Sequence, residues 1–159
     1  MTDMLVKLYN LPEIWSSRIT QVVPEITIRK PFAAEKTIIV QWVREKFGEV
    51  WASEMDVTFS RLPVSCYIAQ QDQTMVGFAC YDASALGYFG PTGVDEPLRG
   101  KGIGKALLLA CLLEMKLKGY GYAIIGWIGP QEFYEKAVGA VVIPDSTPGI
   151  WKDWLGDVE

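Results

Sequence analysis

The chain has 159 residues, of which 50% are apolar and 12% aromatic, and its 15 basic and 19 acidic side chains leave a net charge of −4. That length predicts one packed domain over residues 1–159, able to bury roughly 70% of its unfolded surface. The acidic balance excludes a general nucleic-acid binder. The absence of histidine excludes a Ser-His-Asp triad, a Cys-His dyad and any metal site that needs imidazole.

Residues 1–25 read as a weakly patterned lead-in, with a short strand over Met4-Leu5-Val6 and Leu8-Tyr9 that Leu11-Pro12 closes. Ile26-Thr27-Ile28-Arg29 alternates before Pro31, as a strand ending in a turn does. A helix is predicted over Ala34 to Phe47, with Ile38, Ile39, Trp42, Val43 and Phe47 on its buried face and Gly48 as its stop. A second helix is expected from Glu49 to about Ser60, ahead of Pro63. The period then changes to that of strands. Val64 to Gln70 and Met75 to Tyr81 form a hairpin around Gln71-Asp72-Gln73-Thr74. The next strand, Ala85 to Val94, is broken by Gly87, Gly90, Pro91 and Gly93, which predicts a bulge or a splayed edge.

The strongest helix is Gly104 to Lys118. Leu107, Leu108, Leu109, Leu112, Leu113 and Leu117 cover most of its circumference, so it is expected to lie against a sheet, with Gly119 as its C-cap. A buried strand over Tyr122 to Ile128, a short helix over Gln131 to Ala137 and a strand over Ala140 to Ile143 follow. A tail, 144–159, packs Trp151 and Trp154 back on the domain. Cys66, Cys80 and Cys111 are widely spaced, apolar in context and free of any Cys-x-x-Cys, as reduced buried thiols are. The N-terminus lacks a basic segment followed by an apolar stretch. The longest apolar run, Ala106 to Leu113, falls far short of the ~20 residues that span a bilayer. A cytoplasmic location with no membrane partner is therefore expected.

The most informative stretch is Arg99-Gly100-Lys101-Gly102-Ile103-Gly104, set between a strand end at Val94 and the leucine-rich helix. Glycines allow close approach to main-chain N–H groups, and a helix N-terminus adds partial positive charge, so this turn suits a pyrophosphate. A Walker A loop with its Lys at Lys105 puts Arg99 where the first glycine belongs and Ala106 where the magnesium-binding hydroxyl belongs, so it fails. A Rossmann fingerprint begun at Gly100 or Gly102 meets Lys105 or Leu107 in place of its third glycine, and no acid ends the next strand. The pattern Arg-x-x-Gly-x-Gly matches in full at Arg99, Gly102 and Gly104.

On that motif the chain resembles the GNAT superfamily of acyl-CoA-dependent N-acyltransferases. The likeness runs from about Ile26 to Ile143. It is most specific over Gly93 to Leu108, with a second block at Phe133-Tyr134-Glu135-Lys136 and Gly139-Ala140. The resemblance implies an α/β (α+β) fold: a mixed, mostly antiparallel sheet with a splayed strand pair and helices on both faces. It implies acetyl-CoA as cosubstrate, no metal, and transfer of an acetyl group to a primary amine of a small molecule or peptide by direct attack in a ternary complex. It places Val94, Arg99, Gly100, Lys101, Gly102, Ile103, Gly104 and Lys105 on the cofactor, with the pantetheine arm in the gap beside Thr92, Gly93 and Val94. It makes Tyr134 the acid that protonates the departing sulfur.

Glu54, Asp56 and Asp82 are candidates for the base. Trp51 and Glu54 are the candidate acceptor contacts, because ring faces beside a carboxylate can hold a cation. Trp42 and Phe47 have helical spacing and read as core. Aminosugars, polyamines, amino acids and peptide N-termini stay open as acceptors, and the pattern also admits a homodimer. Two rivals stand beside the enzyme: a non-catalytic CoA-binding or regulatory module, and a nucleotide-binding domain.

Overall fold

The computed structural model describes residues 1–12 and 23–156; the rest of the expected lead-in, 13–22, and the end of the tail, 157–159, lie outside the described residues. The elements in chain order are β1 (Met4–Lys7), β2 (Ile26–Arg29), α1 (Lys36–Phe47), α2 (Glu49–Thr58), β3 (Cys66–Gln71), β4 (Thr74–Tyr81), β5 (Tyr88–Val94), α3 (Ile103–Lys118), β6 (Tyr122–Ile125), α4 (Gln131–Val138) and β7 (Val141–Val142). Among the described residues the strands form one sheet in the order β2-β3-β4-β5-β6-β1-β7. Neighbours are antiparallel except β5 and β6, which run parallel.

Both faces of the central strands are covered, and the side-chain alternation shows it. Cys66, Ile68, Phe78 and Cys80 face α1 and α2, together with Ile39, Val40, Val43, Ala52 and Met55. Ala69, Ala79, Tyr81 and Phe89 face α3, whose Leu107, Leu108, Cys111, Leu112 and Met115 fill the other layer. The hairpin between β3 and β4 turns at Asp72, which takes the left-handed conformation (φ +51°) that Asp tolerates. Arg29 and the Phe32 N–H both bind the Glu35 carboxylate, at 2.6 and 2.7 Å, which fixes the chain as it enters α1. Gly119 is left-handed (φ +111°) and caps α3, as its sequence position predicts.

The predicted elements differ from the observed ones where the tertiary contacts decide. Ile38 and Leu117, expected in the core, are 72% and 74% exposed. At 100° per residue, Ile38 lies on the far side of its helix from the buried stripe, whereas Leu117 shares a face with the buried Ala106 and Ala110 but sits in the last turn of α3. On α1 that stripe is Ile39, Val40 and Val43. β6 stops at Ile125 and not Ile128, because the Trp127 and Ile128 N–H groups turn to Asp3 Oδ1 and Thr2 O. β5 begins at Tyr88, since the residues before it form a turn on Asp82, whose carboxylate accepts the Gly87 N–H at 2.8 Å. Among the described residues no helix is long and apolar enough to cross a membrane.

Candidate active site

The site follows one strand. β5 pairs with β6 only through Tyr88–Ile124 and Phe89–Ile125, and then the two part. Beyond that point β5 stays with β4, where the Asp95 N–H donates to Val76 O at 2.8 Å, while the chain after β6 follows the N-terminus. In an antiparallel ladder, hydrogen-bonded and open pairs alternate. The Asp95–Val76 pair is bonded, so the pairs at Val94–Gly77 and Thr92–Ala79 are open. The main-chain groups of Thr92 and Val94 therefore point away from β4 into the gap. Gly93, read in sequence as a strand breaker, is there for a close approach: a Cβ on it would lie 2.5 Å from Phe47 Cζ. The bulge between Ala79 and Tyr81 opposite Gly90 and Pro91 is the irregularity the breakers predict.

At the C-terminal end of β5 the chain enters the glycine turn. Gly100 and Gly102 have φ of +80° and +90°, which a side chain would strain. Gly104 is helical and packs beside Val94, where a Cβ would make only an ordinary contact of 3.8 Å with Val94 Cγ2. Among the described residues no acceptor meets the N–H groups of Gly100, Lys101, Gly102, Ile103, Gly104 or Lys105. Ile103 is buried in the core, so its side chain anchors the start of α3. Lys101 and Lys105 are exposed. Arg99 Nε donates to Val94 O at 3.0 Å, so this side chain closes the turn onto β5 while its terminal nitrogens stay outward. A row of donors at a helix N-terminus, beside exposed cations, fits a diphosphate in both charge and direction.

At the N-terminal end of β5 lies a cleft of about 220 Å³. Tyr88, Phe89, Gly90 and Pro91 floor it. Val50, Trp51 and Glu54 of α2 form one wall, and Trp127, Trp151 and Trp154 form the other, with Ser84 and Met1 at the rim. The three indoles pack edge to face or tilted, with ring centroids 5.3 to 6.4 Å apart. The tail thus packs back as its tryptophans suggest. Trp51 stacks on Phe47 at 5.3 Å, while Trp42 and Phe47 rest on Phe78 in the core.

The carboxylates separate cleanly. Asp56 pairs with Lys36 at 3.2 Å and is half exposed. Asp82 is fully buried and binds Lys118 Nζ (2.6 Å), the Tyr120 hydroxyl (2.9 Å) and the Gly87 N–H (2.8 Å). Burial pushes its carboxyl up, but these donors outweigh burial and hold it below the ordinary value. Glu54 alone of the three lines the cleft. Its Oε1 accepts the Ser84 hydroxyl at 2.5 Å, and burial raises its carboxyl above the usual range despite that bond. Tyr134 sits on α4 at 6% exposure, and its hydroxyl makes no hydrogen bond among the described residues. Burial pushes its phenol up to about 12, so it stays protonated at neutral pH. The three thiols are free and buried; burial lifts Cys66 to about 11 and Cys80 and Cys111 well above their ordinary value, so none is a nucleophile. Ser84 and Trp127 join the site without a sequence signal of their own.

These features define an α/β protein with a row of main-chain N–H groups at one end of a parted strand and an apolar cleft at the other. The chain belongs to the Acetyltransferase (GNAT) family, whose pattern it matches over residues 36–140, about two thirds of its length. Its fold is similar to a GCN5-related glucosamine N-acetyltransferase region in a fungal multi-domain GH3 beta-N-acetylglucosaminidase (TM-score 0.71, 14% identity, 89% of this chain and 19% of that one). It is also similar to a GCN5-related N-acetyltransferase from Sphaerobacter thermophilus (TM-score 0.65, 21% identity, 89% and 48%). A GNAT-family protein from Xanthomonas campestris pv. campestris superposes at TM-score 0.59 with 16% identity, over 84% of this chain and 95% of that one. The chain thus spans about a fifth of the first structure and about half of the second. At such identities the likeness is one of fold. No curated protein sequence matches the chain.

Proposed function

We propose that residues 1–159 act as one domain that transfers the acetyl group of acetyl-CoA to a primary amine, by direct attack within a ternary complex. The observation that carries this reading is the unmet row of N–H groups from Gly100 to Lys105, continuous through Val94 and Thr92 with a cleft that holds one carboxylate. Those N–H groups and the dipole of α3 would hold the diphosphate, a helix terminus alone contributing about 0.3–2 kcal/mol. The outward main chain of Thr92 and Val94 would pair with the amide-bearing arm, as an extra strand pairs with an edge. Bound there, the thioester supplies an activated acyl group to the end of the cleft.

The amine arrives as an ammonium of pKa about 10 and must lose a proton before it attacks. Glu54 is the base: it lies in the cleft, and its raised value brings it closer to working pH than an ordinary carboxylate. An N–H on β5, of Thr92 or Val94, is the donor for the oxygen on which charge develops. Tyr134 donates a hydrogen bond to the departing sulfur. Its phenol, pushed up to about 12, does not hand over its proton fully to a thiolate whose ordinary value is about 8.5.

Release of free thiol from acetyl-CoA, followed across a panel of amines, tests the reading. Amine-dependent thiol release with a matching amide product supports it. Tight CoA binding without release on any amine would make the fold a binding or regulatory module, and preference for NAD or ATP over CoA would return the turn to a nucleotide.

A further inference from the structure

We infer that the cleft at the N-terminal end of β5 selects a monovalent organic cation with a flat apolar body, an arylalkylamine or alkylamine, over an amino sugar or a polyamine. This rests on the acyl-transfer reading for the fate of the nitrogen, and names the kind of molecule that carries it. The walls decide the class. Trp51, on α2, lines the cleft together with the Tyr88 and Phe89 rings and the indoles of Trp127, Trp151 and Trp154. Ring faces attract a cation, more strongly when water is excluded, and equally accept a flat hydrocarbon body.

Among the described residues Glu54 is the one acidic side chain lining the cleft, and no lysine or arginine lines it. One carboxylate matches one ammonium. A polyamine would bring a second charge into an aromatic wall with nothing to pair it, at the cost of its desolvation. A sugar fares no better. Each hydroxyl removed from water needs a partner, and here Glu54 and Ser84 already bind each other. The indole N–H groups of Trp127 and Trp154 are shut off from solvent and bind nothing among the described residues, so that wall was not built to read hydroxyls. The volume, about 220 Å³, lies below the ~300–1,000 Å³ usual for drug-sized ligands and suits one ring on a short chain.

A quaternary probe tests this apart from the chemistry, because it has no N–H to acylate. The full chain, without acyl-CoA, is titrated with phenethyltrimethylammonium, its neutral tert-butyl isostere, glucosamine and spermidine, with quenching of tryptophan fluorescence as the readout. The quaternary ion is expected to bind about tenfold or more tighter than the neutral isostere, and tighter than glucosamine and spermidine. Glu54→Gln is expected to abolish the preference for charge, and Trp51→Ala to weaken the ion at least tenfold. Equal binding of ion and isostere, or tighter binding of glucosamine or spermidine, overturns the inference. Thiol release from acetyl-CoA is scored separately. Selective binding of the ion with no amine acetylated sinks the catalytic reading and leaves the cleft as assigned, whereas acetylation of an amino sugar with no binding of the ion sinks this inference alone.

Discussion

At its C-terminal end β5 runs into a turn whose donors belong to the main chain; at its N-terminal end it floors a cleft whose walls are side chains. The first end holds N–H groups of consecutive residues, Gly100 to Lys105, that no acceptor meets among the described residues, and depends on two glycines in the left-handed region. The second draws Trp51, Tyr88, Trp127 and Trp151 from four distant parts of the chain and sets one raised carboxyl among them. Main-chain recognition is indifferent to what lies beyond the diphosphate, so it suits a shared cosubstrate. Side-chain recognition can be repainted position by position, so specificity for the acceptor belongs at the other end.

The largest effect is expected where the main chain is disturbed. Gly102→Glu places a carboxylate among the donors and forces a non-glycine residue to φ near +90°, a cost of about 1–2 kcal/mol. CoA affinity by calorimetry should fall at least about 100-fold, with the circular dichroism and the binding of the quaternary ion unchanged. An equal loss at both ends would break the comparison. Glu54→Gln should do the reverse, lowering turnover about 100-fold while CoA binding stays constant. Its pH dependence follows from the raised carboxyl: kcat/KM of the wild type should fall as pH drops through a value above the ordinary carboxylate range, and the variant should lack that inflection. Cys80, which feels the charge of Glu54, and Tyr88, which shares the cleft, are raised by burial and stay neutral there.

Asp82→Asn tests the support under the cleft, because Asp82 anchors the turn that carries Ser84. Loss of its bonds to Lys118, Tyr120 and Gly87 should lower stability by about 2–3 kcal/mol in urea unfolding. The folded carboxyl lies below its unfolded value, so this contribution is complete at neutral pH and fades as pH falls through the folded value. The gap between wild type and variant should narrow in acid. The smallest effect is expected for Tyr134→Phe, about tenfold in turnover at constant CoA affinity. Equal turnover would leave Tyr134 as packing against Phe133.

The two ends also differ in how plainly the amino-acid order announces them. The turn is local: six consecutive residues specify its backbone, and the leucine-rich helix behind it is fixed by its own period and by Gly119. The cleft is not. Its walls meet only after the sheet has formed, so Glu54 and Trp51 stood out merely as a carboxylate near aromatics, and Ser84 carried no signal. Gly93 shows how a correct feature can carry the wrong reason: the glycine admits the Phe47 ring, 46 positions earlier in the chain, and no local rule contains that contact. The helix faces failed at Ile38 because an apolar count does not say which part of the circumference is covered, and at Leu117 because it does not say how far along α3 the covering reaches.

The most direct measurement is a 15N–1H correlation spectrum of the full chain titrated with CoA alone. Main-chain recognition predicts that the amides of Gly100 to Lys105 shift together and saturate, with Thr92 and Val94 following, while the indole N–H resonances of Trp151 and Trp154 stay in place. If saturating CoA left the Gly100–Lys105 amides unmoved, or moved the indoles in their stead, the diphosphate would not be held where the glycines are.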